Sequence, residues 1–553
     1  MSAPASTIPS LLAARVRETP DQPAFLTRAE SGAWQSIPWA AFAGGVERLA
    51  GALHGIGVGR GTRVAILART SVEWERAQAA ALRLGAVVIG IDPNYPDDTL
   101  LHVLAATTPE VLFVDDDRAV ARLPGAVRAR LRVVRRLRDE AGARGVLPSD
   151  RPAEDDAAIV TFSSGTTGAP KPIVYTHGQV RLAVDAILDA FPDIGGGSRL
   201  ACWLPLANLF QRVINFCALA RGASSYVVED PRDIVQHLAA INPHVFIGVP
   251  RFFQKVQAGV DERLRSGVAR WALDCGRKRA AGTPGNLAER VRFAAADRLV
   301  LHRVRRVFGH SVRYLISGSA PMPVWLLEWF DAVGLPVYEA YGVSENIVPV
   351  AMNRPAARRL GTVGKPMPQN EIRLAADGEV RVRGAGLFHG YLGQVDGPRP
   401  DTEGFWATGD VGELSADGFL RLIGRKSDAF KTAGGRWVVP GEIESRLSRA
   451  PYVEYALVVR SGDGAPVAVL NVDAAKLGGA VAADRIAGDA AAALGDLPTH
   501  ARPTGFVVVT APFSIAAGDL TTNLKPRRAA IAERLRPQLD RLSELAAPAV
   551  VVA

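Results

Sequence analysis

Uniformly apolar runs at 64–67, 86–91 and 111–114 predict strands buried on both faces, and the stretches between them, 71–85 and 99–106, carry apolar residues at helical spacing. The alternation resumes with apolar runs at 158–162, 226–228, 245–249 and 312–317. Strands and helices in turn are the mark of parallel α/β layers. The expected fold class is α/β, with a doubly wound core of about 400 residues. From 378 the texture changes. The runs at 379–383 and 419–423 read as antiparallel strands separated by Gly- and Asp-rich turns, a β-rich subdomain. Beyond Arg425 come a helix at 441–447, strands at 453–459 and 467–472, and a helix at 482–494. They suggest a small α+β domain of roughly 125 residues. The expected division is therefore 1–425 and 426–553. The arginine-rich stretch 122–138 is followed by Gly142, Gly145, Pro148 and Pro152, and reads as an exposed connection between two α/β halves. There are no internal repeats.

Composition narrows the class. With 553 residues, 48% apolar and 22% charged, the chain is globular rather than disordered or fibrous. Lys+Arg 65 against Asp+Glu 56 leaves +9, an excess read as spread over a large surface and so no argument for a nucleic-acid partner. Only eight of the basic residues are lysine, which points to a GC-rich genome and makes each lysine's position informative. Cys202, Cys217 and Cys275 lack metal-ligand or disulfide-framework spacing, which suggests a reducing compartment. The first twenty residues have no apolar segment of the secretory kind, and no apolar run is long enough to span a bilayer. A cytoplasmic protein without a transmembrane segment is expected.

The strongest chemical signal is the apolar run ending at Phe162, followed by Ser163, Ser164, Gly165, Thr166, Thr167, Gly168, Ala169, Pro170 and Lys171. Glycines let the backbone approach a polyphosphate, N–H groups and hydroxyls donate to its oxygens, and the lysine neutralises charge. The spacing GxxxxGK[ST] is absent, so this is not a P-loop. The loop closely resembles the phosphate-binding signature of the adenylate-forming superfamily, which comprises acyl-CoA synthetases, luciferases and peptide-synthetase adenylation domains.

That superfamily carries further motifs in fixed order, and similar strings follow here. Gly318, Ser319 and Ala320 resemble the turn that lies along adenine and the acyl pocket. Glu339, Ala340, Tyr341, Gly342, Val343, Ser344 and Glu345 resemble the next motif. By itself that string reads as a loop and helix cap. The resemblance implies that Tyr341 stacks on adenine and that Glu345, with Thr166, helps hold Mg²⁺, for which carboxylates are natural ligands. Asp410 and Arg425, 15 positions apart, resemble the ribose site. A Gly-flanked Asp is otherwise a common turn former. Lys431 to Arg436, with the 441–444 segment, resembles the motif that faces the active site during thioester formation. Leu520 to Lys525 resembles the C-terminal catalytic lysine loop.

The resemblance spans 11 to about 535 and is nearest the long-chain fatty acyl-CoA synthetase branch, through Leu204, Pro205, Leu206, Ala207 and Asn208 and through Gly248, Val249, Pro250 and Arg251. It implies an AMP-forming carboxylate ligase that uses ATP, Mg²⁺ and CoA. Lys525 and Glu345 would be catalytic in the first half-reaction and Lys431 in the second, after rotation of a mobile small domain. An amine acceptor and a non-catalytic nucleotide-binding homologue are the alternatives. The acyl pocket is expected from the 208–215 helix with Val249, Gly318, Tyr338 and Val343. Three positions depart from the pattern: Pro172 replaces glycine, Asn208 replaces histidine, and Ser427 follows the hinge pair Arg425–Lys426.

Overall fold

A computed structural model describes residues 6–137, 147–163, 169–263, 266–282, 286–394, 397–477, 483–521, 525–545 and 549–553. Two sheets build the α/β part. In the first, Val133–Arg136, Val111–Val114, Arg63–Leu67, Val87–Ile91 and Ala157–Phe162 lie parallel in that order, and Pro172–Thr176 closes the edge antiparallel. Strand residues alternate between faces. Val64, Ile66 and Val88 pack with Trp74 and Ala77 of helix Val72–Arg83. Ala65, Leu67 and Ile89 pack on the other side with Leu100, Val103 and Leu104 of helix Asp97–Thr107. Burial on both faces is why these strands have no polar alternation.

The second sheet has nine strands. Its parallel centre runs Val337–Tyr341, Tyr314–Ser317, Val245–Gly248, Arg199–Cys202, Ser224–Val227 and Pro23–Arg28. Arg15, from the N-terminal helix Ile8–Glu18, donates to the carbonyls of Leu219 (3.0 Å) and Ala220 (2.6 Å), capping the end of helix Leu209–Arg221.

A buried polar cluster ties the helices of the two sheets together. Arg212 Nε donates to Gln78 Oε1 at 2.7 Å, and Asn215 Nδ2 donates to Glu75 Oε1 at 2.6 Å. Burial pushes the Glu75 carboxyl up and the Arg212 guanidinium down to about 10, each countered by the other's charge.

After 365 the strands become antiparallel. Asn370–Leu374, Glu379–Gly384, Trp406–Leu414 and Leu420–Arg425 form a four-stranded meander. Then come the hairpin Phe430–Lys431 and Trp437–Val438, and a mixed sheet of Val453–Arg460, Pro466–Val472, Gly505–Val509 and Ala549–Val552. Separate apolar clusters cover the two faces of that last sheet.

Two features differ from the sequence reading. The 122–138 stretch is partly regular: Gly125–Arg128 is helical and Val133–Arg136 adds a strand to the sheet edge. Valine supplies the β preference, and the exposed arginines, one of them paired with Asp117, suit an edge strand. The final strand Ala549–Val552 lies beyond the motif-bearing region, yet it completes the last sheet.

His177, the first residue of helix His177–Ala190, is fully buried with neither ring nitrogen hydrogen-bonded. Burial lowers its pKa to about 4, against the attraction of Asp156. The unfolded state, near 6.5, then binds the proton first as pH falls, so stability is intact above that value and is lost between about 6.5 and 4. Lowering the pH from about 7 to 5 is expected to cost roughly 2 kcal/mol through this side chain. Urea midpoints of the wild type and His177→Met, compared at the two pH values, read the effect. An equal pH shift in both proteins counts against it.

Candidate active site

The strand Ala157–Phe162 delivers the chain into the hydroxyl-rich loop. The loop is pinned at its base: Ser163 N donates to the Lys171 carbonyl at 2.9 Å, and Lys171 N donates to Ser163 Oγ at 3.1 Å. Ser164, Gly165, Thr166, Thr167 and Gly168 lie outside the described residues. Pro172 opens the returning strand, where proline is tolerated, and its carbonyl accepts from Leu392 N at 2.9 Å.

Lys171 Nζ sits 5.1 Å from the ring centroid of Tyr391, whose hydroxyl donates to Glu345 Oε1 at 2.7 Å. Tyr391 therefore joins the loop lysine to the proposed metal-binding carboxylate. Burial and the Glu345 charge both raise its pKa, so the phenol remains a donor. Tyr391 was missed because its signal is non-local: it reaches the site through a single bridge to Ile173.

The adenine-site candidates stand at the ends of neighbouring parallel strands. Tyr314–Ser317 ends in Gly318, Ser319 and Ala320, with Ser319 at φ +71°, a left-handed conformation unusual for a residue with a side chain. On the adjacent strand Glu339, Ala340 and Tyr341 lead into Gly342. Glu339 is buried and accepts from Met322 N at 3.2 Å, and burial lifts its carboxyl to about 7.

One cluster draws on three parts of the fold. Asp410 and Arg425 face each other across the meander, with Arg425 Nε 3.1 Å from Asp410 Oδ1, and Tyr341 donates to Asp410 Oδ2 at 2.7 Å. Lys525 arrives from the C-terminal region, near enough for Arg425 to repel its charge and Asp410 to attract it. Burial, with the Arg425 repulsion, lowers its pKa to about 8. Its backbone is held by Thr521: Lys525 N donates to Thr521 Oγ1 at 3.1 Å, and Thr521 N donates to the Lys525 carbonyl at 2.8 Å.

Lys431 is not part of that cluster. It lies exposed on the 430–438 hairpin, its ammonium 5.2 Å from the ring centroid of Trp437. Arg251 instead bridges toward the C-terminal sheet, donating to the Glu454 carbonyl at 2.6 Å and stacking 4.6 Å from the Tyr455 ring. Lys426 pairs with Asp377 (2.6 Å) and Glu379 (3.1 Å) on the meander, while Ser427 bonds only its neighbour Asp428.

At the acyl side, Gly318 packs under Phe210: a Cβ there would meet the ring at 3.2 Å. Val249 and Val343 are half-buried. Tyr338 is buried deeper, edge-on to Phe191 and Tyr314. Asn208 occupies the cap position of helix Leu209–Arg221, where it makes no side-chain capping bond. Phe210 lies in the 208–215 segment from which the acyl pocket is expected, and its ring covers Gly318.

Residues 12–392 match the family described as AMP-binding enzyme. The chain is 31% identical to the Long-chain-fatty-acid--CoA ligase FadD15 of Mycobacterium bovis over 95% of each protein. It is 32% identical to Long-chain-fatty-acid--CoA ligase 1 of Homo sapiens over 56% of this chain and 46% of that one. Among solved structures, the anthranilate CoA ligase AuaEII in complex with anthranoyl-AMP superposes with TM-score 0.78 at 20% identity, covering 98% and 99% of the two chains. The adenylation domain of a carboxylate reductase from Mycobacterium chelonae gives TM-score 0.78 at 22% identity, covering 98% and 92%. This chain belongs to the AMP-binding enzyme family. Within it, the chain is an AMP-forming acid–thiol ligase.

The position of Lys525 sets a pH limit. Its ammonium is charged below about 8, so kcat/KM for ATP–pyrophosphate exchange is expected to fall above that pH. Lys525→Arg, which stays charged, should hold its own rate level to about pH 10. A wild-type profile flat to that pH would show that the ionisation of Lys525 does not limit the reaction.

Proposed function

We propose that the enzyme activates a long-chain fatty acid with MgATP and transfers the acyl group to the thiol of CoA. The observation that carries this reading is the Tyr341–Asp410–Arg425 cluster, with Lys525 within range of the Asp410 and Arg425 charges. A carboxylate oxygen attacks the α-phosphorus and pyrophosphate leaves. Lys525 stabilises the charge that builds between the two reactants, and the 163–171 loop with Lys171 holds the departing phosphates. Asp410 and Arg425 hold the ribose, while Tyr341, Glu339 and the 318–320 turn frame the adenine. In the second step the thiol attacks the acyl carbon and AMP leaves.

Mg²⁺ fits as an ion carried in by the nucleotide. Among the described residues there is no group of three His, Cys, Asp or Glu side chains that could hold a metal alone. Glu345 spends one carboxylate oxygen on Tyr391 and keeps the other available. A single hard oxygen beside phosphate oxygens suits this ion, with Thr166 as a second donor.

The two half-reactions are assigned to two orientations of the 426–553 domain. Lys525 faces the nucleotide cluster, so this arrangement suits adenylation; Lys431, on its exposed hairpin, would take its place after rotation about 425–427. Lys426, tied to Asp377 and Glu379, keeps the first hinge residue on the large domain and leaves Ser427 as the pivot. The fatty acid is supported by the names of the relatives and by Phe210 over Gly318, with the half-buried Val249 and Val343 just beyond the ends of two sheet strands. A thiol rather than an amine acceptor rests on the same relatives.

Lys525→Ala is expected to slow adenylate formation by on the order of 10²–10³, while thioester formation from a supplied acyl-adenylate proceeds. Equal loss in both half-reactions rules out the two-orientation scheme. Phe210→Ala, which clears the space above Gly318, should move the preference in pyrophosphate exchange toward bulkier acids with the ATP KM within about threefold. An unchanged ranking of acids takes Phe210 out of the pocket.

A further inference from the structure

The basic residues are unevenly distributed along the chain. Residues 263–306 contain twelve Lys/Arg and three Asp/Glu, a net of +9, and the rest of the chain balances 53 against 53. Two of the three acids are already paired, Asp274 with Arg277 and Asp297 with Arg305. The stretch thus carries an excess as large as that of the whole chain, and a second basic stretch, 122–138, has seven arginines and no acid.

This stretch folds mainly into a pair of helices on the outside of the large domain. Helix Gly267–Ala280 is set close against helix Val324–Ala332, with Gly276 so near that a Cβ would fall 2.0 Å from the Ala332 carbonyl oxygen. That approach fixes which side faces the protein and leaves Val268 and Trp271 exposed. Helix Leu287–Ala296 turns only Phe293 and Ala296 inward, and Arg279 stacks on the Phe293 ring at 4.5 Å. At 3.6 residues per turn, Leu287, Val291, Ala294 and Ala295 form the opposite stripe, and all four are exposed, Leu287 by 75% and Val291 by 61%. Arg290 and Arg292 flank the stripe, one on each side, and both are exposed.

An amphipathic helix on a globular protein normally buries its apolar stripe. Here the stripe faces away from the protein. Five of the thirteen large apolar side chains exposed among the described residues fall between 268 and 299, inside this basic stretch. Aliphatic side chains edged by arginine suit the boundary between headgroups and acyl chains, where the stripe is buried and the guanidinium groups reach phosphates. A nucleic acid would use the arginines but would leave Leu287 and Val291 in water.

We infer that the surface formed by 267–280 and 287–306 docks on an anionic lipid bilayer. No helix among the described residues is long and apolar enough to cross one, so the contact is peripheral. The inference rests on this surface alone and is independent of which acid the enzyme activates.

The test is flotation of the full-length enzyme with phosphatidylcholine vesicles, with and without about a third phosphatidylglycerol, at about 0.1 M and 0.5 M NaCl. Binding is expected only to the anionic vesicles, and weaker at the higher salt. Replacing Arg290, Arg292 and Arg298 together by Ser should weaken it by on the order of a hundredfold. Leu287→Ser with Val291→Ser should weaken it about tenfold or more. Pyrophosphate exchange with a water-soluble acid should stay unchanged in both variants, as should their melting temperatures. No binding to anionic vesicles, or binding that survives both sets of substitutions, overturns the inference. Binding to duplex DNA but not to vesicles, lost with the arginines and kept without the two aliphatic side chains, overturns it in favour of a nucleic-acid surface.

Discussion

The Asp410 carboxylate is the constraint around which the catalytic half of the molecule is arranged. One oxygen accepts from the Tyr341 hydroxyl at the end of the nine-stranded sheet, and the other meets Arg425 across the meander. Its charge also acts on Lys525 from the C-terminal region. This nearly buried anion bonds two segments distant in the chain and acts on a third through its charge. The arrangement is polar throughout because a buried carboxylate without such partners would be costly. Its partners are also the groups proposed to meet the nucleotide sugar and the reacting phosphate, so under that proposal the bonds that organise the fold also serve the chemistry.

A second knot, Lys171–Tyr391–Glu345, performs the same task at the phosphate end. Tyr391 presents its ring to a cation and its hydroxyl to an anion, keeping opposite charges near one another without a direct ion pair. A directly paired lysine and glutamate would neutralise each other before a phosphate arrived. Held apart by an aromatic ring, both remain available. Lys426 is likewise tied to two carboxylates of the meander.

Away from the site, unlike charges are also kept at a distance. Glu75 and Arg212 are buried in one cluster, yet Gln78 and Asn215 carry their hydrogen bonds. Each charge shifts the other's ionisation; the two terminal guanidinium nitrogens find no hydrogen-bond partner among the described residues, while amides pair with both Glu75 oxygens and with Arg212 Nε. This joins the helices of the two sheets with directional bonds where apolar packing alone would allow them to slide.

Much of this was legible in the chain. Continuous apolar runs fix doubly covered parallel strands, because a strand buried on both faces has no position for a polar residue; 64–67, 86–91 and 111–114 all behave so. The order of the motifs brought Glu339, Tyr341, Asp410, Arg425 and Lys525 forward as candidates. Sequence could not show that Tyr391 stands between Lys171 and Glu345, that Phe210 lies over Gly318, or that Lys426 pairs with Asp377 and Glu379, because each depends on which loops meet across sheets. The stretch at 122–138 shows the same limit in reverse: its arginines suggested an open connection, whereas a neighbouring strand supplied the hydrogen bonds that made part of it an edge. Local pattern determines elements because burial acts on each residue's own face. Which elements share a point, and so which side chains can act together, was decided only by tertiary packing.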